Sequence, residues 1–338
     1  MGLSLSSLGL GTYLGPEDAA TDAGYEESIR IALAHGVDVF DSAINYRGQK
    51  SERAIGRALA AAFAEGRARR DEVFVSTKGG FLPHDADDPR PARRYASETF
   101  VATGLASAED VALGCHCMAP AYLRDQVARS RANLGLETID LYYLHNVETQ
   151  LGAVDRAAFR RRLRDAVAVL EEEVDSGRVA AWGLATWEGL RVPPTHPEHV
   201  SLEDVLAVAR EVAGDGHHFR AVQLPSSYAM AQALVYRSQE TRTTRRPALD
   251  AAADLGLAAF GSASIMQGRL AAVDFPEEVA EAFPGVLTSA QRALQFARSA
   301  PGMTTALVGV SSPEHAEEDF GLSPIPPADA ARLMGLFV

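Results

Sequence analysis

Lysine is almost absent from this 338-residue chain: only Lys50 and Lys78 stand among 32 basic residues, and the rest are arginine. In a composition so rich in Arg and Ala, as a GC-rich genome produces, a site needing only positive charge drifts to arginine. A site needing a compact ammonium cannot, because the two cations differ in shape and acidity. Cysteine is as scarce. Cys115 and Cys117 are the only two, and two cysteines one residue apart make no disulfide framework, which fits a reducing cytoplasm. No apolar run approaches the ~20 residues that span a bilayer. No charged segment followed by an apolar one opens the chain, so no signal peptide is expected. Met1-Gly2-Leu3-Ser4-Leu5-Ser6 fits the loose myristoylation pattern, but the same stretch reads as the start of a strand. Positive charge is in deficit, with 45 acidic residues and a net charge of −13, which argues against nucleic-acid binding. Internal repeats and low-complexity tracts are also missing.

What is present is an alternation. The chain is 47% hydrophobic and 23% charged, ordinary for a soluble globular protein. Short β-branched runs near Leu5–Thr12, Val37–Ser42, Val73–Lys78, Ile139–His145, Val179–Thr186, Ala221–Pro225, Leu257–Ser262 and Ala306–Val310 read as strands. Helical spacing lies between them: Ile55, Leu59 and Phe63 behind a cap at Ser51; Leu123, Val127 and Leu134; Leu163, Val167, Leu170 and Val174 before Gly177. Pro313 opens a last helix. Eight strands each followed by a helix predict a (β/α)8 TIM barrel, a single domain over residues 1–338. The alternative, an open doubly wound sheet, wants a G-x-G-x-x-G turn, and Gly9-Leu10-Gly11 lacks the third glycine. Two connections are long. Residues 79–119, with Pro83, Pro89 and Pro91, read as loop, as does Ser226–Arg246. The first follows a strand, so it borders the face where barrel sites lie.

Polar residues at strand C-termini are where such a barrel carries chemistry. Strand two ends in Asp41, strand three in Lys78 and strand four in His145, and Tyr46 follows Asp41 by five residues. A free phenol has a pKa of ~10. An adjacent ammonium lowers it, and Asp41 would hold Lys78 charged and oriented. Tyr46 can then pass a proton to a carbonyl oxygen that His145 orients. No group here supplies a hydride, so the site implies a cofactor.

Asp41 in Gly-Val-Asp-Val-Phe-Asp-Ser-Ala, Tyr46, Lys78 in Ser-Thr-Lys-Gly and His145 in Asp-Leu-Tyr-Tyr-Leu-His strongly resemble the aldo-keto reductases, from Gly9 to about Phe320. The resemblance implies an Asp-Tyr-Lys-His tetrad working with NADPH on an aldehyde or ketone, or on the corresponding alcohol or sugar in reverse. It implies cofactor contacts at Gly11, Thr12, Tyr13 and Asp41. It also implies contacts to the carboxamide at Thr186 and Gln223, with Ala185 and Thr186 replacing the family's Ser and Asn. Phe260 would stack on the nicotinamide. Gly309, Ser311, Ser312, His315, Glu318 and Asp319 would form the adenosine-phosphate clamp. There Gly309 stands where many members have Lys, and His315 where many have Arg. Charge-assisted bonds are worth ~1.5–3 kcal/mol each, so NADH or dual use stays open beside NADPH.

Taken singly, each residue has an ordinary reading: Asp41 as a strand cap, Tyr46 as loop packing, Lys78 as a surface lysine, His145 as a core histidine, Phe260 as barrel packing. Cys115-His116-Cys117 is too short and too closely spaced for a closed zinc site, so no metal is expected. Tyr13, Phe81, His116, Asn146 and Trp187 flank the strand ends and are expected to shape the substrate pocket. The arginine groups Arg67–Arg70, Arg160–Arg164 and Arg242–Arg246 read as solvated faces. The expected partner is a small carbonyl or alcohol, with no nucleic acid and no membrane. A dinucleotide-sensing subunit with little turnover, and an unrelated barrel lyase or isomerase, are the other readings. The sequence assigns no oligomeric state.

Overall fold

The computed structural model describes residues 4–241 and 244–337. Gly2 of the acylation pattern and Arg242 of the third arginine group lie outside the described residues. Eight strands, β1 (Leu8–Gly11), β2 (Val39–Asp41), β3 (Phe74–Gly79), β4 (Leu141–His145), β5 (Trp182–Ala185), β6 (Phe219–Pro225), β7 (Ala258–Ser262) and β8 (Met303–Gly309), close into one barrel. Every neighbouring pair is parallel, and β1 pairs with both β2 and β8. The open-sheet alternative is thereby excluded. Eight helices follow the strands in turn: α1 (Ala19–Ala34), α2 (Lys50–Ala64), α3 (Pro120–Leu134), α4 (Arg156–Asp175), α5 (Leu202–Ala213), α6 (Ala248–Asp254), α7 (Ser289–Arg298) and α8 (Pro313–Phe320).

Local chemistry sets these elements. Asp18, Asp155, Ser201, Thr288 and Ser312 cap α1, α4, α5, α7 and α8 through their side-chain oxygens. Pro120 and Pro313 occupy first turns. Ser51 is not the cap of α2. That helix begins at Lys50, and Ser51 Oγ instead donates to Thr12 O at 2.6 Å, tying α2 to the end of β1.

Period-two alternation divides the core. Val39, Phe74, Leu141, Tyr143, Ala221, Phe260 and Leu307 fill the barrel interior, with Phe74 and Phe260 stacked at 5.8 Å. A larger apolar layer joins strands to helices. Gly183 is required where β5 approaches β6, since a Cβ there would lie 2.5 Å from Ala221 O.

Residues 79–119 are not bare loop. They carry a short helix (Ala92–Ala96) and a two-stranded hairpin, Val111–Ala112 with His116–Cys117, which returns the chain alongside Phe81. The sequence missed the hairpin because its strands are two residues long. Arg160 and Arg164 both pair with exposed Glu211, as expected of a solvated face, but Arg162 of the same group turns inward and donates to buried Gln150. Among the described residues no helix is long and apolar enough to cross a membrane.

Candidate active site

The inward alternation that buries Phe74 and Phe260 at the lower level brings Asp41, Lys78, His145, Gln223, Ser262 and Gly309 to the C-terminal mouth. A cavity of about 520 Å³ opens there, lined by residues that include Thr12, Asp41, Tyr46, His145, Thr186 and Gly309. Lys78 is wholly buried. Its Nζ donates to Asp41 Oδ2 at 2.5 Å and to Ser42 O at 2.6 Å. Asp41 Oδ1 accepts from Ser76 Oγ at 2.7 Å and from Gln223 Nε2 at 2.9 Å. One carboxylate thus gathers β2, β3 and β6. Lys78 Nζ lies 4.9 Å from the Tyr46 ring centroid, and the His145 ring lies 5.8 Å from that of Tyr46. The four expected residues meet at one point.

Tyr46 is held by its neighbours. Arg47, Gly48 and Gln49 all have positive φ, which turns the chain sharply after the tyrosine. Buried Arg47 fixes the turn through Asp22 Oδ1 at 2.6 Å and Pro16 O at 2.9 Å.

Electrostatics differs from the sequence expectation at Tyr46. Burial raises the phenol well above 10, and the charge of Asp41 and the nearby Tyr13 add to this. The net direction is upward, so burial outweighs any lowering by Lys78. Burial lowers Lys78, and Asp41 opposes that shift. Burial also drives His145 well below 6.5, helped by Lys78 and His116, so its imidazole is neutral. Three buried atoms of cavity-lining residues, Asn45 Oδ1, His145 Nδ1 and Thr186 Oγ1, have no hydrogen-bond partner among the described residues.

Of the expected cofactor contacts, Gly11, Thr12, Tyr13, Asp41, Thr186, Gln223 and Gly309 line the cavity. Phe260 does not. It is 1% exposed within the barrel core, and Ser262, the next inward residue of β7, lines the cavity instead. Ser311, Ser312, His315, Glu318 and Asp319 also stand off it, because the chain turns outward after β8 into α8. Ser312 caps α8 and donates to Glu314, His315 is exposed, and Asp319 is buried with its carboxyl raised to about 7 by desolvation and Glu318.

Of the expected substrate contacts, Tyr13, Phe81, Asn146 and Trp187 line the cavity, with Tyr13 and Trp187 half-exposed at its rim. His116 does not: the hairpin folds it inward beneath Gly80, fully buried. No group of three or more potential metal ligands occurs among the described residues.

Sequence reasoning missed Ser76, Asn45 and Glu148. Ser76 shares the inward face of Lys78 by period two, a signal that was readable. Asn45 directly precedes Tyr46. Glu148 gave no signal: its Oε1 accepts the backbone N–H groups of Trp187, Glu188 and Gly189 at 2.6, 3.0 and 3.3 Å and so shapes the turn after β5.

Comparisons with known proteins bear on the whole assembly. An aldo/keto reductase from Klebsiella pneumoniae, solved in complex with NADP and acetate, superposes with a TM-score of 0.63 at 19% identity, covering 98% of this chain and 92% of that one. An aldose reductase from Schistosoma japonicum gives 0.61 at 18%, covering 99% and 88%. An aldo-keto reductase from Bacillus halodurans in its holo form gives 0.62 at 17%, covering 99% and 93%. At such identities the likeness speaks for the fold. The model of the aldo/keto reductase family matches residues 7–192, more than half of the sequence, and includes β1 to β5 with Asp41, Tyr46, Lys78 and His145. This chain belongs to the aldo/keto reductase family.

Proposed function

We propose that this protein is an NADPH-dependent oxidoreductase that reduces a small aldehyde or ketone, or oxidises the corresponding alcohol, and that residues 1–338 act as one barrel unit in the cytoplasm. The observation that carries this reading is the buried Lys78–Asp41 pair beneath the Tyr46 ring, with neutral His145 beside it at the mouth of the cavity.

The cavity fits a nicotinamide cofactor. Thr186 Oγ1 is buried on its wall with no partner among the described residues, and Gly11 and Gly309 leave two strand ends free of side chains. Thr186 would hold the carboxamide and Gln223 would border it, although the Gln223 amide already donates to Asp41. When bound, the cofactor supplies or accepts the hydride. Relatives crystallised with NADP or NADPH support the choice of nucleotide. The missing cations at Gly309 and His315 keep NADH in the test.

The chain's own residues handle the proton. Tyr46, held protonated by burial, donates from its hydroxyl to the carbonyl oxygen as negative charge develops there. Lys78 holds positive charge behind the ring, so the resulting phenolate forms beside an ammonium. Asp41 fixes Lys78 in place. His145 orients the carbonyl oxygen.

The test is consumption of NADPH with a reactive aromatic aldehyde, in parallel with NADH and with Tyr46→Phe. Turnover by the native chain and its loss in the variant, with nucleotide affinity retained, is the expected result. Undiminished turnover in Tyr46→Phe refutes the assigned role, and failure to bind either nucleotide refutes the whole reading.

A further inference from the structure

We infer that His116 is a positioning residue for His145, holding the imidazole at the cavity through a buried hydrogen-bond chain that begins at Arg162. The inference rests on the role of His145 proposed above.

Arg162 Nη1 donates to Gln150 Oε1 at 2.6 Å. Gln150 Nε2 reaches His116 Nδ1 at 2.8 Å and His116 O at 3.1 Å, and His116 Nε2 reaches His145 O at 2.6 Å. The direction of this chain is fixed by its first member. A guanidinium only donates, so the Gln150 oxygen faces Arg162 and its NH2 faces His116. Nδ1 of His116 therefore accepts, and its single proton sits on Nε2, aimed at a carbonyl that only accepts. Burial lowers His116 to about 4, which keeps it in this neutral form.

The bond lands where β4 needs it. Asn146, directly after His145, has φ 45° and ψ 57°. Asparagine tolerates this left-handed region better than other side chains, but the conformation still has to be held by the structure around it. Asn146 N–H donates to Ala185 O at 2.6 Å. The peptide unit between His145 and Asn146 is thus pinned at its N–H by β5 and at its C=O by His116. Phe81 packs edge-on against both imidazoles, at 5.2 and 5.0 Å. Gly80, with φ +142°, makes the space: a Cβ there would lie 2.6 Å from His116 Nε2 and 3.0 Å from His145 O. His116 is fully buried and does not line the cavity, so it acts on the substrate only through neighbours that do, His145 by a hydrogen bond and Phe81 by an edge-on contact.

Two substitutions in the full chain separate the bonds. In His116→Gln the side-chain amide nitrogen replaces Nε2 and keeps the bond to His145 O. In His116→Asn the shorter amide reaches only the level of Nδ1, so it keeps Gln150 and loses His145. With an aromatic aldehyde and NADPH, His116→Asn is expected to lower kcat on the order of 10- to 100-fold with the KM for NADPH unchanged, as misplacement of a reacting group does. His116→Gln should recover most of that loss. Imidazole 15N spectra of the free proteins give a readout independent of turnover. The His145 signals, identified by their loss in His145→Gln, should move in His116→Asn and stay in place in His116→Gln.

Equal loss in both variants, native kcat in His116→Asn, or unmoved His145 signals in His116→Asn would each overturn the inference. If the native chain shows no turnover, the proposed function fails, and the imidazole spectra still decide whether His116 holds His145.

Discussion

Lys78 is a charge kept wholly out of water by one carboxylate and one carbonyl, and its replacement measures what that arrangement costs. In Lys78→Met, Asp41 keeps only the neutral donors Ser76 and Gln223. Removing one partner of a buried pair costs about 3–5 kcal/mol, so the urea midpoint of this variant should fall steeply. Adding Asp41→Asn should restore much of the loss. Tyr46 carries a second expectation. Because its phenol lies well above 10, it stays protonated through the neutral range. Reduction should therefore hold a level kcat between about pH 7 and 9, while alcohol oxidation, which needs the deprotonated phenol, should climb with pH over the same range. Stopped-flow rates in both directions check this; a reduction rate that falls across that range counts against the assignment. At this scale the sequence was most legible where residue type was rare. Lys78 was visible because arginine replaces lysine almost everywhere else. Phe260 misled because an aromatic near the end of an inner strand fits either core or cavity, and only the strand's exact end decides which layer it joins.

Among the elements, the turn after β5 depends on a side chain from another loop. Glu148 sits beyond β4, yet its carboxylate satisfies three N–H groups at residues 187–189. Glu148→Ala leaves those donors without it. A loss on the order of 3 kcal/mol is expected: bonds to a charged group are worth ~1.5–3 kcal/mol each, and the burial that raises the Glu148 carboxyl offsets part of their sum. The same variant should bind NADPH more weakly, because Thr186 leads into that turn; thermal melts and nucleotide titration measure the two effects. All eight strands were readable from their apolar runs, but several were read too long. Ile139 and Val179 meet only as an isolated bridge, and the Ser6 N–H donates to the Asp38 side chain instead of to a ladder carbonyl. Hydrophobicity marks what is buried, and ladder hydrogen bonding stops earlier. The 111–117 hairpin was illegible because neither of its strands is long enough to show a period.

For the molecule as a whole, closure of the ring was predictable from the count of strand–helix units, whereas the destination of the chain after β8 was not. That segment carries a measurable effect on stability. Asp319 is buried with its carboxyl raised from 3.8 to about 7. The folded protein therefore binds this proton more tightly than the unfolded chain, and the contribution is complete below about pH 4 and lost as pH rises through 7. Asp319→Asn removes the dependence. Its advantage over the native chain should be small near pH 4.5 and grow to as much as about 4 kcal/mol at pH 8. His116 works in the opposite sense. Lowered to about 4, it stays neutral when folded, so its contribution is present above about 6.5 and fades as pH falls toward 4. Urea titrations at a series of pH values, for the native chain and Asp319→Asn, test the first sign; an advantage that shrinks as pH rises would reverse it.

The bond from Gln223 to Asp41 spans 182 residues of chain. A refolding intermediate holding only the first four strands already has Asp41, Tyr46, Lys78 and His145, but not this brace and not the walls supplied by β6 to β8. Nucleotide capture during refolding therefore serves as a clock for ring closure: fluorescence quenching by the dinucleotide should lag the growth of secondary structure and coincide with the last kinetic phase.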